Sequence, residues 1–395
     1  MIYLITLILL ILFSIQYPRI STSHQRISWH FSFWLVFCIS AFQYKIGADI
    51  PAYMGEFDYY QKDYSFDYIF SFIRRQPLWV LLNVVCKTII EDFAILKILQ
   101  AFVVNFVVFR FISKHTNNKM LGVLLYLIFS YFHLNFNALR ASFALVVFLC
   151  AYDYLVEKKL LKYYALCVVA FLFHESALIL FLLPLLHPIK KMFGSTDKLL
   201  KYVLILGVVS IFLAPIVQST FGSVLQYLQL MNVISYGDTY LDNSSYSGFR
   251  LSIVGSVEYL VKLALYIYLF KKSRCSQSIF GFIFIVYMII FCLNIAFPIF
   301  YRFNDYFCII FICCLANGLS NIGFNRVRYK SMYAHLVFYV VFFLNTYSYF
   351  LMLSDGTREI DQFYPYYTIF DKKTSMIREN NWGHKENDAM YLLRR

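Results

Sequence analysis

The residues best suited to chemistry stand in the middle or at the ends of long apolar segments. His174, Glu175 and Ser176 interrupt the apolar segment 163–186 near its centre. Polar groups at the depth of a bilayer are costly, and they are tolerated where they line a wet or protein-buried cavity. His174 and Ser176 are therefore candidate site residues. The structural alternative is a histidine that breaks a helix and is hydrogen-bonded inside the protein.

Seven further polar residues stand where apolar segments end: Asp49, Tyr53, Asn137, Arg140, Arg250, Arg302 and Asp305. A single arginine at such a place can be a side chain that reaches out to the membrane surface. Three arginines together are harder to explain in this way. A guanidinium group offers a planar fork of donors that matches phosphate oxygens, so the arginines favour a pyrophosphate carried by a lipid as the ligand.

Composition indicates which elements must position these residues. Of the 395 residues 61% are hydrophobic and 14% are charged, and the mean hydropathy is +0.63. Apolar runs of roughly 20 residues match the thickness of a bilayer as helices and are too long for the strands of a membrane barrel. The chain is predicted to be an all-α polytopic membrane protein. Its nine cysteines lie mostly inside apolar runs and are interpreted as packing residues, neither disulfide partners nor metal ligands.

The apolar runs predict one membrane domain, residues 1–353, with about 10–12 transmembrane helices. The clear spans are 1–17, 29–46, 93–112, 120–134, 140–156, 202–219, 251–270, 279–298, 306–320 and 333–353. Segments 47–92 and 220–250 are predicted to be outer loops, and 354–395 a polar tail outside the cytoplasm. Within the first loop, 77–90 is too short for a span and is predicted to be an interfacial or re-entrant helix.

The distribution of charge sets the orientation. Lysine and arginine concentrate in the short loops, which are therefore predicted to be cytoplasmic, whereas most acidic residues fall on the other side. Segment 163–186 has lysine-rich loops at both ends, so both ends should be cytoplasmic. We therefore expect a re-entrant hairpin with His174-Glu175-Ser176 at its tip, facing outward. The alternative is a single span, which would place several basic loops on the wrong side.

The net charge of +13 is interpreted as this orientation signal and as an attraction to anionic membrane lipid. A nucleic-acid partner is not expected, because no soluble basic domain is present to hold one.

Several stretches in their order along the chain resemble a known family. They are YKIGADIPAY at 44–53, QPLWVLLN at 76–83, the block 136–180 that begins FNALRASFALVV, FYRFNDYF at 300–307 and FYPYYTIF at 363–370. Together they are similar to the EpsG-like branch of the Wzy-type O-antigen and capsular polysaccharide polymerases. The block up to Leu180 is the most specific of them.

The resemblance implies a glycosyltransferase of the bacterial cytoplasmic (inner) membrane with an extracytoplasmic active face. It would transfer a growing glycan from undecaprenyl diphosphate to the next lipid-linked oligosaccharide repeat unit, in the biosynthesis of a capsule, an exopolysaccharide or lipopolysaccharide. A polysaccharide chain-length regulator is a possible partner. No cofactor and no metal are expected, since the sequence has no Asp-x-Asp pair and no glycine-rich phosphate loop.

Roles follow as hypotheses from this chemistry. Arg140, with Arg250 or Arg302, would bind the departing diphosphate, and either His174 or Asp49 would be the base for the acceptor hydroxyl. The remaining substrate-binding candidates are Tyr53, Asn137, Ser176 and Asp305. Asp49 has a structural alternative as the cap of a following helix.

Three other functions stay open. An O-antigen-type ligase would use the same lipid diphosphate chemistry. A flippase for lipid-linked oligosaccharides would carry polar residues through its spans and some inverted repeat, and neither pattern is visible. A membrane acyltransferase with a catalytic histidine would need a donor site facing the cytoplasm.

Overall fold

The computed structural model of the chain describes residues 2–71, 75–230, 253–297, 300–324, 329–354, 363 and 366–371. Helices dominate these residues. They are α1 Ile2–Gln16, α2 Thr22–Ala41, α3 Ile50–Tyr59, α4 Phe66–Ser71, α5 Pro77–Ile89, α6 Ala94–His115, α7 Lys119–Tyr126, α8 Leu139–Val156, α9 Leu160–Phe173, α10 Leu186–Phe193, α11 Asp197–Leu230, α12 Ile253–Ser273, α13 Ile279–Leu293, α14 Tyr301–Leu319 and α15 Tyr329–Ser354. The prediction of an all-α polytopic membrane protein is confirmed.

Six helical segments among the described residues are long and apolar enough to cross a membrane, and five shorter apolar helices accompany them. The expected total of 10–12 transmembrane helices stays a prediction. Local sequence fixes several helix starts, because a polar side chain accepts a hydrogen bond from an otherwise unpaired backbone N–H group. Ser21 caps α2 in this way, Asn118 caps α7 and Ser278 caps α13.

The chain divides into two compact units, residues 1–184 with 345–395, and residues 185–344. In the first unit, α3, α5, α6 and α8 meet around one apolar cluster. Its buried members are Ile50, Tyr53, Phe57, Trp79, Cys86, Leu96, Leu139 and Phe143. In the second unit, the buried helix α14 packs on α12 and α13, with Phe311 stacked on Tyr287 and Phe284. The single membrane domain predicted for 1–353 is not tested by this division.

Segment 47–92, predicted as an outer loop, contains the three helices α3, α4 and α5. Helix α5 has 13 residues, fewer than a transmembrane span needs. Helix α11 continues to Leu230, so the first residues of the second predicted loop are helical, and 231–252 lie outside the described residues.

The chain folds back at His174-Glu175-Ser176. Helix α9 ends at Phe173, because the extended backbone of His174 (φ −155°, ψ 127°) cannot continue a helix. The following 3₁₀ helix Glu175–Leu185 returns along α9, since the Tyr163 hydroxyl donates to the Leu180 carbonyl at 2.7 Å. The ring of Tyr164 likewise stacks on that of Phe181. The hairpin predicted at 163–186 is therefore present, with the three polar residues at its tip.

The second predicted span, 29–46, ends early. Helix α2 stops at Ala41, and residues 42–44 pair instead with a short piece of the C-terminal tail. The Tyr44 amide donates to Tyr367, and the Ile369 amide donates to Phe42, each at 2.9 Å. These bonds give partners to the Phe42 carbonyl and the Tyr44 amide, which the helix no longer provides.

Candidate active site

Arg140 lies in the first turn of α8 and faces α3 and the start of α5. Its Nη1 donates to Gln76 Oε1 at 2.7 Å, and its guanidinium carbon lies 5.9 Å from the centre of the Tyr53 ring. Its Nε is buried and has no hydrogen-bond partner in the described part of the chain. A buried donor without a partner is costly, so Arg140 retains a donor suited to an anionic ligand.

Tyr53 lies on α3, beside Arg140. Its ring is buried and meets the Trp79 ring edge-on at 5.2 Å. Burial raises the pKa of Tyr53 to about 12, although the neighbouring Arg140 opposes this shift. The hydroxyl is therefore neutral at physiological pH, and it accepts a hydrogen bond from Arg140 while keeping its own proton to donate.

Asp49 is exposed and occupies the residue before α3, one helical turn from Tyr53. Its side chain does not accept a hydrogen bond from the N-terminal amides of α3, so Asp49 is not a side-chain cap of this helix. The Asp49 carboxylate is at the surface, on the turn that leads into α3, and Tyr53 of α3 lies beside Arg140.

Gly47, two residues before Asp49, packs against the end of another helix. That helix is α7, which continues beyond Tyr126 through the π-helical turns Leu127–Tyr131 and His133–Asn137. Gly47 has φ 114°, and a Cβ at this position would lie 1.9 Å from the Phe136 carbonyl oxygen. The next amide, Ala48 N, donates to Asn137 Oδ1 at 2.9 Å. Asn137 was predicted to orient a sugar hydroxyl; in the structure its Oδ1 holds the turn that carries Asp49.

A buried lysine secures the same π-helical turn from the other side. Lys97 of α6 is 1% exposed, and its ammonium group donates to the Asn135 carbonyl and to Gln100 Oε1. Gln100 in turn donates to the Leu134 carbonyl at 3.0 Å. These bonds occupy carbonyl groups at the C-terminal end of a helix, which have no partner within the helix itself. Lys97 thus stabilises the turn that ends one helix and begins the next at Arg140.

The hairpin tip lies at the same end of α8. Phe173 stacks on Phe143 with ring centres 5.4 Å apart and packs against the apolar cluster that contains Tyr53. His174 Nδ1 lies 2.6 Å from Ser176 Oγ and 3.3 Å from the Ser176 amide. Because an amide can only donate, Nδ1 is the acceptor, and the proton of the neutral ring is on Nε2. In this arrangement the Nδ1 lone pair is already occupied and is not available to act as a base.

The structure thus brings Asp49, Tyr53, Asn137 and Arg140 together, with the hairpin tip of His174 and Ser176 beside them. Arg302 and Asp305 lie in the second unit, one turn apart at the start of α14, and their predicted contribution to the same site is not tested. Arg250 lies outside the described residues.

Sequence analysis missed four residues around this cluster. Glu56, Arg75 and Gln76 lie beside Tyr53 and Arg140, and Lys97 lies beneath Asn135. The i to i+3 spacing of Tyr53 and Glu56, which places both on one helix face, was the signal for the first. Within the described residues no group of three or more His, Cys, Asp or Glu side chains could hold a metal ion.

Comparison with known families settles the relationship of the chain. The model of the EpsG family matches residues 26–368, which include the whole cluster, the hairpin and the start of α14. The chain belongs to the EpsG family. EpsG-like polymerases are of the Wzy type, and membership marks the chain as a membrane protein of the polysaccharide polymerase type. No match was found among curated proteins or among solved structures.

Proposed function

We propose that this EpsG-family protein is a metal-independent glycosyltransferase that polymerises lipid-linked oligosaccharide repeat units. The growing glycan would be transferred from undecaprenyl diphosphate to a hydroxyl of the next repeat unit, at the outer face of the bacterial cytoplasmic membrane. The observation that carries the proposal is Arg140, whose buried Nε has no hydrogen-bond partner among the described residues and whose guanidinium group lies beside the neutral Tyr53 hydroxyl.

In the proposed step the acceptor oxygen bonds to the anomeric carbon, and the bond from that carbon to the diphosphate breaks. The acceptor proton passes to a base. The electron pair leaves with the lipid diphosphate, whose new charge is stabilised by preorganised donors at Arg140 and Tyr53. Arginine suits this task because its donors match two phosphate oxygens at once.

Two residues compete for the role of base. The geometry supports Asp49, because its carboxylate is exposed and lies one turn from Tyr53. His174 Nδ1 is already engaged by Ser176, so His174 is better placed to donate from Nε2 to a sugar or phosphate oxygen. A base must reach the proton that it takes up, and of the two groups the Asp49 carboxylate is the more accessible.

The outward orientation of this site rests on the distribution of lysine and arginine in the short loops. Basic residues lie at the start of α2 and in the segment 157–162, which joins α8 to α9 and includes the first residues of α9. The hairpin tip stands at the opposite end of α9, and Asp49 follows the opposite end of α2.

The experiment is a gel of the surface or lipid-linked glycan from cells that lack the gene. The cells are complemented with wild type, Arg140→Ala, or the matched control Arg110→Ala at an exposed arginine of α6. We expect a ladder with wild type and the control, and only core plus one repeat unit with Arg140→Ala at equal membrane level. Loss of even the one-unit band in the deletion would show that export or ligation had failed, and it would overturn the proposal.

A further inference from the structure

A buried carboxylate links α3 to the start of α5. Glu56 is 2% exposed, and both of its oxygens are bound: Oε1 pairs with Arg75 Nη2 at 2.7 Å, and Oε2 accepts from Trp79 Nε1 at 2.8 Å. Arg75 is 32% exposed, so the pair is sheltered on the carboxylate side and wet on the other. Removing one partner of such a pair is costly, because it leaves a charge without compensation.

The two partners of Glu56 bracket the residue that holds Arg140. Gln76 follows Arg75 directly and stands one turn before Val80, whose amide bonds the Gln76 carbonyl. The Gln76 side chain accepts from Arg140 Nη1 at 2.7 Å. Glu56 therefore ties down the chain on both sides of Gln76, the side chain that accepts from Arg140 Nη1.

Proline strengthens this arrangement. Pro77 at the first position of α5 has a fixed φ and no N–H group, so the turn into α5 has few alternative conformations. The turn is thus restricted at Pro77 and tied to Glu56 at Arg75 and Trp79, which limits the movement of Gln76 relative to α8.

We infer that Glu56 is a positioning residue of the polymerisation site, which acts on Arg140 through the Arg75-Gln76 turn; this rests on the proposed function. Glu56 does not act as the base, because both of its oxygens already accept hydrogen bonds and its carboxylate is closed to solvent. Its task is to keep Arg140 aimed at the departing diphosphate. Misplacement of a reacting or stabilising group by 1 Å can cost about 10²-fold in rate.

A double-mutant cycle tests the link. Purified wild type, Glu56→Gln, Gln76→Ala and the double variant are reconstituted in liposomes with lipid-linked repeat units, and kcat and KM are measured. In Glu56→Gln one end of the side chain presents an NH₂ group to a donor, either Arg75 or Trp79, so one bond is lost in either orientation.

We expect each single variant to lower kcat by about 10- to 100-fold with a smaller change in KM. The double variant should be no slower than the slower single variant, because both changes release the same guanidinium group. If the two losses multiply, Glu56 does not act through Gln76 and the inference is overturned.

A second variant keeps the inference testable if Glu56→Gln fails to fold. Glu56→Gln with Arg75→Gln removes both charges and keeps a hydrogen-bonded pair. We expect it to fold and to recover most of the lost rate. A well-folded but inactive protein would show that the charge of Glu56 is itself required in the reaction, contrary to positioning.

The matched control is Glu91→Gln. Glu91 belongs to the same region, but it is exposed and pairs with Lys62 at the surface, and we expect wild-type kinetics. The wild-type protein separates the two levels of the account. If wild type forms no polymer, the proposed function fails; if wild type polymerises and the cycle is multiplicative, only the role of Glu56 fails.

Discussion

Gly47→Ala is the substitution whose effect can be worked most directly from the structure. The added Cβ would lie 1.9 Å from the Phe136 carbonyl oxygen and 2.9 Å from Asn137 Oδ1. A carbon and an oxygen that are not bonded need about 3.3 Å, so the turn would have to withdraw from the end of α7 by about 1.4 Å. Backbone strain adds to this contact, because φ 114° is accessible almost only to glycine.

Withdrawal would break the hydrogen bond from Ala48 to Asn137 and move Asp49 away from Arg140. Strain at a positive φ costs about 1–3 kcal/mol, and the loss of the partly buried hydrogen bond adds about 1 kcal/mol. We expect the protein to remain in the membrane, because the change is local, and polymerisation to fall by about 10²-fold.

The assay is the rate of polymer formation in reconstituted liposomes, normalised to folded protein. Gly194→Ala is the control, since Gly194 also has a positive φ (67°) but an added Cβ would meet nothing within 4 Å. It should cost a little stability and leave the rate unchanged. A Gly47→Ala rate within twofold of wild type would refute the idea that this contact places Asp49.

Three further outcomes follow. Lys97→Met should keep its membrane level, since it removes a polar group whose burial is itself costly and this offsets the two lost hydrogen bonds. It should polymerise at least about tenfold more slowly, and an unchanged rate would contradict the role of Lys97 in the turn before Arg140. Asp49→Asn should leave single-unit products while His174→Gln retains some polymer, and the reverse result would make His174 the base. Hydrogen bonds from Thr368 lower the pKa of Asp371, so its stabilisation of the tail segment is complete above about pH 4 and is lost as pH falls through the lowered value. Exchange of the Ile369 amide, corrected for intrinsic pH effects, should be equal at pH 7 and 5 and faster at pH 3, whereas acceleration already at pH 5 would contradict this.

The sequence predicted the features that depend on the hydrophobicity of long segments. Each predicted span overlaps a helix because hydrophobic length and helix formation are coupled in a bilayer. The hairpin at His174 could be predicted because three polar residues in an apolar segment and basic loops at both ends leave few alternatives. Asp49, Tyr53 and Arg140 were found because they stand where apolar segments end.

Other residues of the site do not stand at the ends of apolar segments and were missed. Glu56 lies in a short helix of mixed polarity, and its burial depends on Trp79 and Arg75, which are distant along the chain. Lys97 lies in a long apolar helix, and in the sequence it is an isolated lysine. Its partner, the backbone carbonyl of Asn135, can be recognised only in the folded structure. The pairing of Tyr44 with Tyr367 joins two segments more than 300 residues apart through backbone atoms, and side-chain patterns do not record such bonds.

The central claim is that this chain itself polymerises lipid-linked repeat units, with Arg140 holding the departing diphosphate. The most direct measurement uses purified protein in liposomes that contain only an undecaprenyl-diphosphate-linked oligosaccharide, and it follows the glycan by gel and the released lipid diphosphate by mass spectrometry. The account predicts a ladder spaced by one repeat unit, one lipid diphosphate released per bond formed, and neither product with Arg140→Ala. A wild-type protein that releases no lipid diphosphate, or an Arg140→Ala protein that forms the ladder at the wild-type rate, would contradict it.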